Sequence, residues 1–191
     1  MKKRLIVAVS GASGVTYGVK LLEVLEKTEH IETHLVISPA AERIIKKECN
    51  IIDIDKVKSM ADINHDFKDI GAQIASGSFI TDGMVVVPCS VKTLSGIANS
   101  FNENLIIRAA DVCLKERRKL VLVVRETPLH LGHLELMEKV TRIGGVILPP
   151  MPSFYHEPKD IDDIINQTIG KVLDQFGIEH KLFKRWGETS V

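Results

Sequence analysis

The sequence predicts an α/β fold built on a doubly wound parallel sheet, and three observations carry that prediction. Strand-length apolar runs alternate with stretches of helical period from the first residues to nearly the last, as in a parallel sheet covered by helices on both faces. Glycine or serine turns follow the apolar runs that end near residues 10, 37 and 88, where such folds collect ligands. The chain has 191 residues, 45% hydrophobic and 26% charged, enough for one sizeable core and little more. A single domain over 1–191 is expected, with a C-terminal tail from about residue 177.

Residues 4–10, rich in Leu, Ile and Val, form the first strand; a turn at 11–14 leads into a helix at 15–27 with Val15, Val19, Leu22 and Leu25 as its apolar stripe. Residues 32–37 form the second strand, and Ser38 and Pro39 suit the N-cap and first position of a helix reaching about Glu48. Residues 50–78 are mixed and polar, with a weak helical signal at 52–60, and read as an excursion or as binding loops. A buried strand at 83–88, a Cys89-Ser90 turn with Ser90 as N-cap, and a short helix at 91–99 follow. Next come a helix at 104–117, a strand at 119–124, a loop, a helix at 132–143, and a short strand at 146–148 stopped by Pro149-Pro150. A helix at 160–176 closes the domain, its face made by Ile161, Ile164, Ile165, Ile169, Val172 and Leu173, whereas 180–191 has neither period.

Lys and Arg number 25 and Asp and Glu 25, a balance that argues against nucleic acid as the main partner. The basic start before Leu5 imitates a secretory signal but its apolar run breaks at Ser10-Gly11, and no stretch is long enough to cross a bilayer. Cys49, Cys89 and Cys113 are odd in number and lack CxxC spacing, so they read as buried thiols of a reducing compartment, the cytoplasm.

Gly11-Ala12-Ser13-Gly14 lies between a strand and a helix, so backbone N–H groups, the helix dipole and the Ser13 hydroxyl can meet a phosphate, although chain reversal alone also explains the glycines. A dinucleotide fold wants an acid ending the second strand, but Val36-Ile37-Ser38 stands there, and no GxxxxGK[ST] loop exists. NAD, ATP and GTP therefore give way to a mononucleotide such as FMN, with Ser38 as a donor. Pro88-Cys89-Ser90-Val91-Lys92-Thr93 offers a second such strand end, or simple helix capping. Arg108, Asp111 and Lys115 share a helix face, pointed at a site, a neighbouring subunit or solvent. Arg125-Glu126 ends a strand where substrates bind in this architecture and is the sharpest catalytic candidate, a surface ion pair being the plainer alternative. His130 and His133 lack an evident third ligand, so no metal site is expected. Phe154-Tyr155-His156 and Arg185-Trp186 are loop aromatics that line a pocket or simply pack.

Taken together, Ser10-Gly11-Ala12-Ser13-Gly14, Ala75-Ser76-Gly77-Ser78, Pro88-Cys89-Ser90, Arg108-Ala109-Ala110-Asp111, residues 114–118, Arg125-Glu126, Phe154-Tyr155-His156 and Arg185-Trp186-Gly187 resemble the flavin prenyltransferase (UbiX-like) family over nearly the whole chain. The short 50–78 region is similar to the branch associated with aromatic acid decarboxylases. The resemblance implies a Rossmann-like flavoprotein domain that joins the dimethylallyl group of dimethylallyl monophosphate to reduced FMN without a metal. It further implies a dodecamer with sites between subunits, and a product passed to a UbiD-like decarboxylase.

Carried onto this chain, the resemblance places Gly11, Ala12, Ser13, Ser38, Ser90, Val91, Lys92, Thr93 and Arg125 at FMN. It places Ser76, Lys115, Arg125, Tyr155 and Lys171 around the prenyl phosphate, with Arg108 from an adjoining subunit and Trp186 as an apolar wall. Glu126, Glu48 and Ser13 are its proton-handling candidates. Val124 stands where the family commonly has Pro, Ile70 where some members have an aromatic, and Lys171 where Arg is usual; Lys grips phosphate as a point charge, without the guanidinium fork. Two other readings are a non-catalytic FMN-binding subunit of an aromatic acid decarboxylase and a flavin-dependent cysteine-derivative decarboxylase, whose PxMNxxMW segment is missing.

Overall fold

In the computed structural model, residues 2–49 and 53–187 are described. Six strands form one parallel sheet in the order β3-β2-β1-β4-β5-β6. They are β1 Lys3–Val9, β2 Ile31–Ile37, β3 Ile63–His65, β4 Gly83–Cys89, β5 Lys119–Val124 and β6 Val146–Ile147. The helices are α1 Val15–Glu26, α2 Pro39–Glu48, α3 Ile54–Ser59, α4 Val91–Ala98, α5 Leu105–Lys115, α6 Leu131–Arg142 and α7 Ile161–Gln175. The chain starts mid-sheet, builds outward to β3, and returns to add β4 on the other side of β1. The connection therefore reverses between β1 and β4, which opens a crevice at their carboxyl ends.

Side-chain alternation explains why the strands read as unbroken apolar runs. Leu5, Val7 and Val9 of β1, with Val85, Val87, Val121 and Val123, pack into one core with α1, α2 and α7. Ile6, Ala8, Met84, Val86, Leu120 and Leu122 point the other way, into the core under α4, α5 and α6. On the first face α1 lies so close to β4 that a Cβ at Gly18 would sit 2.6 Å from the Val87 carbonyl oxygen.

The departures from the sequence reading are local. β1 runs from Lys3 to Val9 instead of 4–10, because Ser10 leaves the ladder. β3 and a 3₁₀ turn at Gln73–Ala75 occupy the region read as an excursion. The helical signal at 52–60 condenses into α3, its first residue lying outside the described residues. β6 has only two residues, and Asp160 is the N-cap of α7, accepting from the Asp163 N–H. The tail is packed: Ile178 is buried and Phe183 covers Gly170; its last part, 188–191, lies outside the described residues. No helix among the described residues is long and apolar enough to cross a membrane.

Candidate functional site

All strands run the same way, so the segments after β1, β2, β4 and β5 meet at one edge. Ser10, 1% exposed, stitches the two central segments together. Its hydroxyl donates to the Pro88 carbonyl at 2.9 Å and accepts from the Ser90 N–H at 2.8 Å. The Arg125 N–H donates to the Cys89 carbonyl at 3.0 Å, so Arg125-Glu126 leaves β5 directly beside Ser90. Ser38 and Ser90 are both N-caps, their hydroxyls accepting from Ala41 N–H at 3.1 Å and Thr93 N–H at 3.3 Å. Each cap leaves an amide-rich helix start facing the crevice, suited to an anion or a polar ring edge.

Gly11, Ala12, Ser13, Ser38, Ser90, Val91, Thr93 and Arg125 are thus gathered at one edge by topology, with Ser13 and Arg125 exposed. Lys92 stands at the same helix start, but its ammonium pairs with Glu103 at 3.1 Å. The Glu126 carboxylate is exposed and accepts from the Thr127 N–H at 2.9 Å. Hydroxyls, helix-start amides and one guanidinium on four neighbouring segments fit a flavin mononucleotide, whose phosphate takes amides and whose ring edge takes hydrogen bonds.

One part of the phosphate expectation is modified. Glu48, at the end of α2, accepts from the N–H groups of Gly14 at 2.8 Å and Val15 at 3.2 Å. The carboxylate takes the first amides of α1, where the helix dipole favours negative charge. An incoming phosphate therefore meets the Ser13 hydroxyl and the turn ahead of it. Glu48 is brought to the site from 34 residues away, which no local pattern in the sequence reveals.

Ser76 and Lys115 lie elsewhere. Lys115 ends α5 just before β5 begins, and Gly77, next to Ser76, is held by Arg118 through its carbonyl at 2.6 Å, near the starts of the strands. β4, with seven residues, spans about 23 Å at the usual rise, so these groups stand at the far end of their own sheet from Arg125. Lys115 is ion-paired with Glu116. Arg108, on the first turns of α5, donates to the Ala75 carbonyl at 3.2 Å and to Asp111 at 3.1 Å. Within one chain the topology therefore keeps Ser76 and Lys115 apart from Arg125.

Tyr155 and Trp186 meet edge to face, with ring centroids 5.7 Å apart, and bound an open cleft with His156, Glu157, Lys184 and Arg185. Lys171, on α7, lies 3.8 Å from Asp174. His130 and His133 lie tilted against each other at the start of α6 with centroids 3.6 Å apart, and among the described residues no three His, Cys, Asp or Glu side chains form a metal-holding group. Cys89 and Cys113 are buried, and burial pushes the Cys113 thiol up to about 12, so neither is a nucleophile at neutral pH.

Three features escape the sequence reading. Ser10 enters the sequence reading as the end of an apolar run and as part of a glycine motif, and its bridging role needs β4 beside β1. Asp174 collects His180 and Arg185 from the tail. A half-buried chain runs from Arg4 through Glu32 and His34 to His65, with separations of 2.8, 3.0 and 2.9 Å. Burial pushes the His65 imidazole down.

The flavoprotein family model matches residues 1–173. Flavin prenyltransferase UbiX of Escherichia coli (strain K12) is 58% identical over 186 residues, 96% of this chain and 98% of that protein. AnUbiX, crystallised with FMN and dimethylallyl pyrophosphate, superposes with a TM-score of 0.95 at 47% identity, all of both chains being covered. A dodecameric FMN-dependent UbiX-like decarboxylase from Escherichia coli O157:H7 gives 0.94 at 48%, covering 97% of this chain and 100% of that one. On identity, coverage and fold together, this chain belongs to the flavoprotein family and, within it, to the UbiX-like flavin prenyltransferases.

Proposed function

We propose that the chain transfers the dimethylallyl group of dimethylallyl monophosphate to reduced FMN, giving prenylated FMN for a UbiD-like decarboxylase. The observation that carries this is the full-length likeness to AnUbiX, crystallised with FMN and dimethylallyl pyrophosphate, together with the Ser10–Ser90–Arg125 edge that fits a flavin. Reduced FMN supplies the nucleophilic N5 and the C6 position of attachment, while phosphate departs. Gly11, Ala12, Ser13, Ser38, Ser90, Val91, Lys92, Thr93 and Arg125 hold the flavin, through amides and hydroxyls that need no rearrangement.

Positive and hydroxyl-bearing side chains stabilise the departing phosphate: Arg125 from the crevice, with Ser76, Arg108, Lys115, Tyr155 and Lys171 from neighbouring copies. Ser76, Lys115 and the cluster of Lys171 with Asp174 stand toward the far end of their own sheet, which supports a homo-oligomer, and a dodecamer is the state of one solved relative. Trp186 shields the allyl group with its ring face. The departing phosphate takes the N5 proton, and Glu126 beside the ring edge, or Glu48 and Ser13 at the α1 start, gives a proton to the prenyl double bond as C6 bonds to it and accepts the one lost at C6. The cytoplasm supplies reduced flavin and keeps the thiols free.

The test is anaerobic incubation of the purified oligomer with reduced FMN and dimethylallyl monophosphate. Prenylated flavin in the mass spectrum, unaffected by a chelator, is the expected result; binding without conversion would establish the non-catalytic FMN-binding subunit instead. Glu126→Gln is expected to keep FMN affinity and lose about 100-fold or more in turnover.

A further inference from the structure

The C-terminal tail is fastened to α7 through one carboxylate. Asp174 accepts from Arg185 twice, Nη2 to Oδ1 at 2.7 Å and Nη1 to Oδ2 at 3.1 Å, the forked geometry that suits a guanidinium best. His180 Nε2 lies 3.1 Å from the same Oδ1, and Lys171 Nζ lies 3.8 Å from Oδ2. The Asp174 and His180 side chains are 22% and 2% exposed while Arg185 is 42% exposed, so the carboxylate itself is more sheltered than in an open surface ion pair. Arg185, with help from His180, holds its carboxyl below the ordinary aspartate range.

The helix is cut to receive the tail. A Cβ at Gly170 would come 2.4 Å from Phe183 Cε1 and 2.6 Å from His180 Cε1. The Phe183 ring carries the Arg185 guanidinium 5.5 Å from its centroid. The next residue, Trp186, meets the Tyr155 ring at 81°. An unbroken series of contacts therefore runs from Asp174 through Arg185 and Trp186 to Tyr155.

We infer that Asp174 is a positioning residue for the prenyl substrate: by gripping Arg185 and His180 it sets Trp186 against Tyr155, and it holds Lys171 in the same cluster. The inference rests on the reading of Tyr155, Lys171 and Trp186 as substrate-side groups. Asp174 is two residues from Phe176, whose ring packs at Gly83, the start of β4. It thus lies toward the end of the sheet away from the Ser38 and Ser90 caps, so its loss spares the flavin cradle of its own chain.

The chain has a single tryptophan, so its emission reports the latch directly. In the assembled enzyme, Asp174→Asn and Arg185→Ala should each raise KM for dimethylallyl monophosphate about tenfold with kcat within about twofold. Each should also lower the Trp186 emission anisotropy and leave FMN affinity at the parent value. The double variant should lose less than the sum of the single ones, because the Asp174–Arg185 fork is common to both. Gly170→Ala, which displaces Phe183 and His180 without changing a charge, should lower the anisotropy in the same way and serves if Asp174→Asn does not fold. Parent-like anisotropy and KM, or additive losses in the double variant, would overturn the inference. If the parent enzyme binds FMN but forms no product, the proposed activity fails, while the anisotropy result still decides whether Asp174 sets the tail.

Discussion

Glu48 and Glu32 show how a single carboxylate acquires its role from partners distant in the chain. Glu48 caps α1 from another helix, through Gly14 and Val15, so Glu48→Ala is expected to cost about 1 kcal/mol, read from urea unfolding. Glu32 is held below the ordinary glutamate range, first by its hydrogen bond with His34 and then by Arg4. A depressed carboxylate contributes stability that is present above its unfolded pKa and lost as pH falls through the folded one. Glu32→Gln should therefore be less stable than the parent at neutral pH, and the gap should close in acid below the usual glutamate range; denaturant unfolding at both pH values checks this. His34 has no exposed surface, so the same substitution also weakens the one carboxylate that anchors its ring.

Helix α1 matters because its N-terminus builds one wall of the crevice, and its height over the sheet is set by Gly18. A methyl there meets the Val87 carbonyl at 2.6 Å and Val9 Cγ2 at 3.2 Å, backbone on one side and core on the other. Gly18→Ala is expected to cost about 1–3 kcal/mol as overpacking and to weaken FMN binding, measured by thermal unfolding and flavin titration. The serine-capped starts of α2 and α4 were legible in the sequence, because capping is a local chemistry between residues three apart. β3 was not legible: three residues of mixed polarity at a sheet edge carry no period.

For the whole molecule, the separation of Lys115 from Glu126 means that the proposed reaction needs two copies of the chain at each site. Lys115→Ala and Glu126→Gln are each expected to be inactive, and refolding the two together should restore activity at interfaces that receive an intact Lys115 on one side and an intact Glu126 on the other. Activity of the mixture no higher than that of either variant would place both groups in one chain's site. Exposed Leu131, Met151, Phe154 and Ile161 supply apolar surface for such contacts.

The sequence alone determined the class of fold, the strand-end turns, the serine caps and the anion-friendly chemistry of Arg125-Glu126, because each depends on periodicity or on neighbours a few residues apart. Only the tertiary structure decided that Ser10 joins two strand ends, that Glu48 closes α1, that Asp174 fastens the tail, and that Ser76 and Lys115 stand away from Arg125. These depend on which segments the sheet order places side by side. Contacts of that kind arise from burying both faces of one sheet, and no short stretch of residues encodes them.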